Sequence, residues 1–101
     1  MSQVVSFHTY KLKGGVSVPD FLLAVEKLIK EYVSKQKGYV SFHLLSEGDT
    51  WADSVTFETM DDFNAFLESE QNDMNEVGEK FSSFLNFDTL KSNTYSVEKS
   101  Y

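Results

Sequence analysis

The sequence predicts an α+β fold of order β-α-β-β-α-β, a four-stranded antiparallel sheet with two helices on one side. Three observations predict it. Four stretches alternate apolar and polar residues with a period of two. Two segments between them repeat apolar residues at helical spacing. A five-residue turn, Ser46 to Thr50, joins the second and third strands closely enough for a hairpin.

Gln3 to Leu12 reads as the first strand, with Val5 and Phe7 on one face and Ser6, His8, Tyr10 and Leu12 on the other. Lys13 to Gly15 breaks it. Ser17, with Asp20 three positions on, is a capping-box pattern, and Pro19 sits in the first turn, where its missing N–H costs little. Phe21, Val25, Leu28, Ile29 and Tyr32 form the apolar stripe of the first helix, and Gly38 ends the segment. Tyr39 to Leu45 is the second strand: Val40, Phe42 and Leu44 share a face, Tyr39, Ser41, His43 and Leu45 the other. Trp51 to Glu58 is the third, with Val55 and Phe57 opposite Ser54, Thr56 and Glu58. Thr59 with Asp62 caps a second helix through Phe63, Phe66 and Leu67 that breaks near Glu70 to Asp73; a further helical piece carries Val77, Phe81, Phe84 and Leu85. Leu90 to Glu98 is the last strand, with Tyr95 and Val97 opposite Thr94, Ser96 and Glu98. This order is the ferredoxin-like split β-α-β, and no linker or low-complexity tract divides it, so residues 1–101 read as one domain.

Composition narrows the function. The formal net charge is −7 and every one of the 9 basic residues is lysine. An acidic surface without arginine repels nucleic acid and anionic lipid, which argues against both as partners. No cysteine is present, which removes disulfides, thiolate chemistry and cysteine zinc sites. No apolar run approaches the roughly 20 residues of a membrane span, and the first lysine is Lys11, so no secretory signal is read and a cytoplasmic location is expected.

The tripeptide Ser-Phe-His occurs at Ser6 and again at Ser41, and supplies the only two histidines, His8 and His43. The expectation is that Val5, Phe7, Val40, Phe42, Leu44, Val55, Phe57, Tyr95 and Val97 take the helices. The hydroxyl- and imidazole-bearing side then faces away, and a second copy of the sheet would cover it and enclose a moderately polar space. Adjacent strands are about 4.8 Å apart, so histidines two strands apart are too distant to share a metal ion, and none is expected. The carboxylates of Asp61, Asp62, Glu68, Glu70, Asp73 and Glu76 lack compact ligand spacing and read as a solvated helix face.

The strand and helix order, the stretch Lys37 to Phe66 (Gly-aromatic strand, short hairpin, strand, capped aromatic helix start) and the stretch Phe81 to Tyr101 resemble the antibiotic-biosynthesis-monooxygenase-like family of dimeric α/β barrels. The resemblance implies a homodimer with sheets packed face to face and small-molecule pockets. It implies, for some members, oxygenase activity without metal or flavin. Haem-degrading members typically carry Asn on the first strand, Trp near the end of the third and His on the second helix. Here the third-strand position looks like Phe57, and Met60 to Leu85 contains no histidine.

Histidine suits proton transfer at neutral pH, so His8 and His43 are the candidate catalytic residues. A base of this kind would form an electron-rich phenolate or enolate that then meets O2, with no cofactor. Tyr10, Tyr39, Ser41, Trp51 and Thr56 are the candidate substrate-binding residues. Trp51 also reads as a packing anchor, and either histidine as a hydrogen-bonded interface residue. The two functions carried forward are a cofactor-independent monooxygenase-like protein for a small aromatic or enolisable molecule, and a non-catalytic small-molecule-binding or regulatory dimer.

Overall fold

The computed structural model describes residues 2–73 and 75–101, with backbone only for 71–73. The elements run β1 (Val4–Leu12), α1 (Val18–Glu31), a 3₁₀ turn (Val33–Lys35), β2 (Tyr39–Glu47), β3 (Thr50–Phe57), α2 (Met60–Asp73), α3 (Glu76–Ser82) and β4 (Leu85–Ser96). The strands form one antiparallel sheet in the order β2-β3-β1-β4. The α+β, ferredoxin-like expectation therefore holds, with a short extra helix before the last strand.

Local chemistry sets the helix ends. Ser17 Oγ accepts from the Asp20 N–H at 3.3 Å and starts α1. Thr59 Oγ1 accepts from the Asp62 N–H at 3.0 Å and starts α2. Asn75 Oδ1 accepts from the Gly78 N–H at 3.1 Å and starts α3. The last strand begins at Leu85, not at Leu90, because the chain turns out of α3 at Ser83 and pairs with the far end of β1, Leu12 opposite Leu85. Gly38 leads into β2 with φ 83, a conformation that side chains resist, and any Cβ there would meet the Asp62 side chain at the start of α2.

The register decides which face takes the helices. Val4 pairs with Phe57 and Ser6 with Val55. Residues directly opposite in paired strands point the same way, so Val4, Ser6, His8 and Tyr10 share the face of Phe57, Val55, Asp53 and Trp51. Phe57 is fully buried and Val55 nearly so, among Phe63 and Phe66 of α2 and Leu28 of α1. The helix-covered side of β1 is therefore the one bearing serine, histidine and tyrosine. Val5, Phe7 and Tyr95, expected under the helices, lie on the open face instead, and Tyr95 is 57% exposed.

The expected orientation holds for Phe42 and Leu44 in β2 and for Val55 and Phe57 in β3. A bulge between Tyr39 and Ser41 turns Tyr39 inward as well, where its ring meets Phe57 edge-on at 6.4 Å. From these two strands the open face receives Ser41, His43, Leu45, Ala52, Ser54 and Thr56. A second aromatic cluster fills the other end of the layer: Phe21 packs against Trp51 at 5.2 Å, Phe84 at 5.9 Å and Phe81 at 6.0 Å. Among the described residues no helix is long and apolar enough to cross a membrane.

Candidate functional site

Between the two aromatic clusters the core does not close. Sheet, α1, α2, α3 and the start of β4 leave a cavity of about 190 Å³. Its walls are mostly apolar, with Leu28, Phe42, Val55, Phe63, Phe66 and Phe81 prominent. An apolar cavity of about 150 Å³ can hold benzene, so this space suits a ligand of one or two rings. Six groups able to exchange hydrogen bonds line it: Ser6, His8 and Tyr10 from β1, Asp53 from β3, Glu70 from α2 and Ser82 from α3.

Period-two geometry on two neighbouring strands brings four of these together. His8 pairs directly with Asp53, and Tyr10 lies two residues further along the same face. Tyr10 is 1% exposed and donates its hydroxyl to Asp53 Oδ2 at 3.0 Å. His8 is held at both ring nitrogens: Nε2 meets Ser6 Oγ at 2.9 Å and Nδ1 meets Ser92 Oγ of β4 at 2.8 Å. The serines fix the ring plane beside Asp53. Tyr10 fixes one carboxylate oxygen and leaves Oδ1 as the acceptor not used by that bond.

Electrostatics follow from burial. Desolvation pushes the Asp53 carboxyl above the usual carboxylate range, while nearby His8 and the Tyr10 hydrogen bond pull the other way. Desolvation, then the Asp53 charge and the bond to it, push the Tyr10 phenol up, so it stays a protonated donor. Glu70 is pushed up to about 7 by burial and by the negative field of Asp53. The site thus holds two carboxyls whose ionisation is resisted, one of them titrating near neutral pH.

The structure brings together only part of the expected site. His8 and Tyr10 line the cavity. His43, Ser41 and Thr56 sit on the opposite, open face, so the two histidines do not share a space. The expectation that they would came from giving β1 the wrong inward face. Tyr39 and Trp51 point inward, but their rings pack on Phe57 and Phe21. Asp53 is absent from the expected site and Glu70 is expected on a solvated helix face, although the inward position of both is visible in the pattern. Asp53 falls in phase with Trp51, Val55 and Phe57, a carboxylate at a core position. Glu70 follows Phe63, Phe66 and Leu67 at the next step of the buried stripe of α2, so it leaves the solvated face that the sequence suggested. The Asp73 side chain of that acidic run lies outside the described residues. Among the described residues no three His, Asp or Glu side chains are grouped to hold a metal ion.

The chain superposes over nearly its whole length on several solved structures. SnoaB, a cofactor-independent oxygenase from Streptomyces nogalater, matches with a TM-score of 0.77 at 14% identity, over 99% of this chain and 97% of that one. A protein from Bordetella bronchiseptica bearing the name "Putative antibiotic biosynthesis monooxygenase" matches with 0.76 at 14% identity over 100% of both chains. One of like name from Caulobacter crescentus matches with 0.75 at 10% identity, over 97% of this chain and 92% of that one. At such identities the likeness establishes the fold, and at that level the expected resemblance to antibiotic-biosynthesis-monooxygenase-like proteins holds. No protein-family model and no curated protein sequence matches the chain.

Proposed function

We propose that the chain is a cofactor-independent monooxygenase-like protein that acts on a small aromatic or enolisable molecule in the cavity between sheet and helices. The observation that carries this reading is the buried Tyr10–Asp53 pair opening onto an apolar space of one- to two-ring size. In this reading Asp53 takes the proton from an acidic C–H or O–H of the substrate. A carboxylate in a poorly solvated site is a stronger base than in water. Tyr10 and His8 orient and compensate it.

The substrate anion, lying against the Phe walls, then passes an electron to O2 and the C–O bond forms. Where the reacting carbon is a CH2, the hydroperoxide loses water to give C=O. One CH2 and one O2 become one C=O and one H2O, and the substrate supplies all four electrons.

The open face supports a homodimer: Val5, Phe7, Leu45, Ala52 and Tyr95 form an apolar surface that no helix among the described residues covers. A second copy of that sheet would bury it, as the barrel architecture requires.

The experiment is oxygen uptake with quinol-type substrates in metal-free buffer. The oxygenase reading expects uptake that scales with enzyme and is lost in Asp53→Asn. One observation favours the alternative of a non-catalytic binding module: both His8 nitrogens are already engaged by serines, the usual state of a structural histidine. Ligand binding without oxygen consumption would decide for that module.

A further inference from the structure

The same cavity has an asymmetry of charge. Two carboxyls, Asp53 and Glu70, line it from opposite layers, sheet and helix, and no lysine is among its lining residues. Its one group able to become cationic is His8, and both His8 nitrogens are occupied by Ser6 and Ser92, so neither is free to grip an anion. The Tyr10 hydroxyl is committed to Asp53. Ser82 of α3 adds one neutral hydroxyl; otherwise the walls offer a ligand acceptor oxygen and the faces and edges of phenylalanine rings. Acceptors need donors, and aromatic faces attract cations, whereas a carboxylate or phosphate would be desolvated against two carboxyls with no counter-charge.

From the placement of these side chains we propose that the cavity selects its ligand by charge. It admits a one- or two-ring molecule that is neutral or cationic and carries a hydrogen-bond donor, and it rejects the corresponding carboxylate or phosphate. The inference deepens the ligand-binding reading of the site but does not require turnover. Glu70 is the group best placed to set the discrimination, since among the described residues it has no hydrogen-bond or ion-pair partner of its own. Asp53 is already tied to Tyr10.

The test uses three phenols of matched ring and chain: 4-ethylphenol, neutral; tyramine, cationic; and 4-hydroxyphenylacetate, anionic. Each is titrated into the intact protein at pH 8 and followed by NMR shifts of residues around the cavity. The expected result is binding of 4-ethylphenol and tyramine at the cavity, with the acid tenfold or more weaker. In Glu70→Gln the gap between the acid and 4-ethylphenol narrows. The conservative variant Glu70→Asp keeps the gap, which separates charge from shape. Equal binding of the acid and 4-ethylphenol overturns the inference, and so does no binding of any of the three.

Oxygen uptake is measured separately. Charge discrimination without uptake leaves this inference standing and removes the oxygenase. Uptake with an acidic substrate at the rate of its neutral analogue removes this inference and leaves the oxygenase.

Discussion

The Tyr10 hydroxyl is what makes a nearly fully buried Asp53 tolerable. A buried carboxylate with no donor loses its compensation, which costs roughly 1–3 kcal/mol. Tyr10→Phe keeps the ring contacts with Phe21 and Phe81 and removes only the donor. The expected loss is about 1–3 kcal/mol by urea unfolding at pH 8, shrinking at acid pH as Asp53 takes up its proton. Glu70 adds a second pH effect of known sign. Its folded value of about 7 lies above the ordinary 4.5, so the folded state holds the extra proton between those limits. Stability contributed by this group is present at acid pH and falls as pH rises from 4.5 toward 7. Glu70→Gln should therefore be more stable than the natural chain at pH 8, by about 1–2 kcal/mol given that the carboxyl still meets water, and equal to it at pH 4. Equal stability at both pH values would contradict the burial argument. These two carboxyls were readable in the sequence as acids in phase with core residues. Alternation alone hid their meaning, because on β1 the polar residues looked like an outward face.

That ambiguity belongs to the elements. β1 carries apolar residues in both phases, Val4 and Tyr10 in one and Val5 and Phe7 in the other, so its period does not choose a face. The pairing of Ser6 with Val55 chooses it. β3 was legible because Val55 and Phe57 have only Ser54 and Thr56 as rivals. The helices were legible for a different reason: their caps are local, and Ser17, Thr59 and the stripe of α1 act within a turn or two. The β4 start was not, since Leu85 and Phe87 follow a helix without a break signal and are drawn into the sheet by β1. Gly38 joins two elements, the start of β2 and the first turn of α2. Gly38→Ala should cost about 2 kcal/mol or more, from positive φ together with the Asp62 contact. Gly48→Ala, with positive φ but open space around it, should cost about 1 kcal/mol. Equal midpoints for the two variants in thermal melts would show that the Asp62 contact carries no energy.

At the scale of the molecule, one sheet has two different jobs. Its covered face holds the polar cluster and the cavity; its open face, with Phe7, Leu45 and Tyr95, is the surface of the proposed dimer. The dimer proposal predicts a sedimenting mass near twice 11.5 kDa at micromolar concentration, and a single-chain mass for Tyr95→Lys. A single chain for the natural sequence would leave that apolar face unexplained. Which face carries the proposed chemistry is the central question. The most direct measurement is oxygen uptake with one quinol substrate by three proteins: the natural chain, Asp53→Asn and His43→Ala. Chemistry on the covered face predicts a loss of about 100-fold in Asp53→Asn, as for removal of a positioned base, and a rate within about twofold of the natural chain in His43→Ala. Loss of uptake in His43→Ala with uptake kept in Asp53→Asn would contradict it and move the chemistry to the open face.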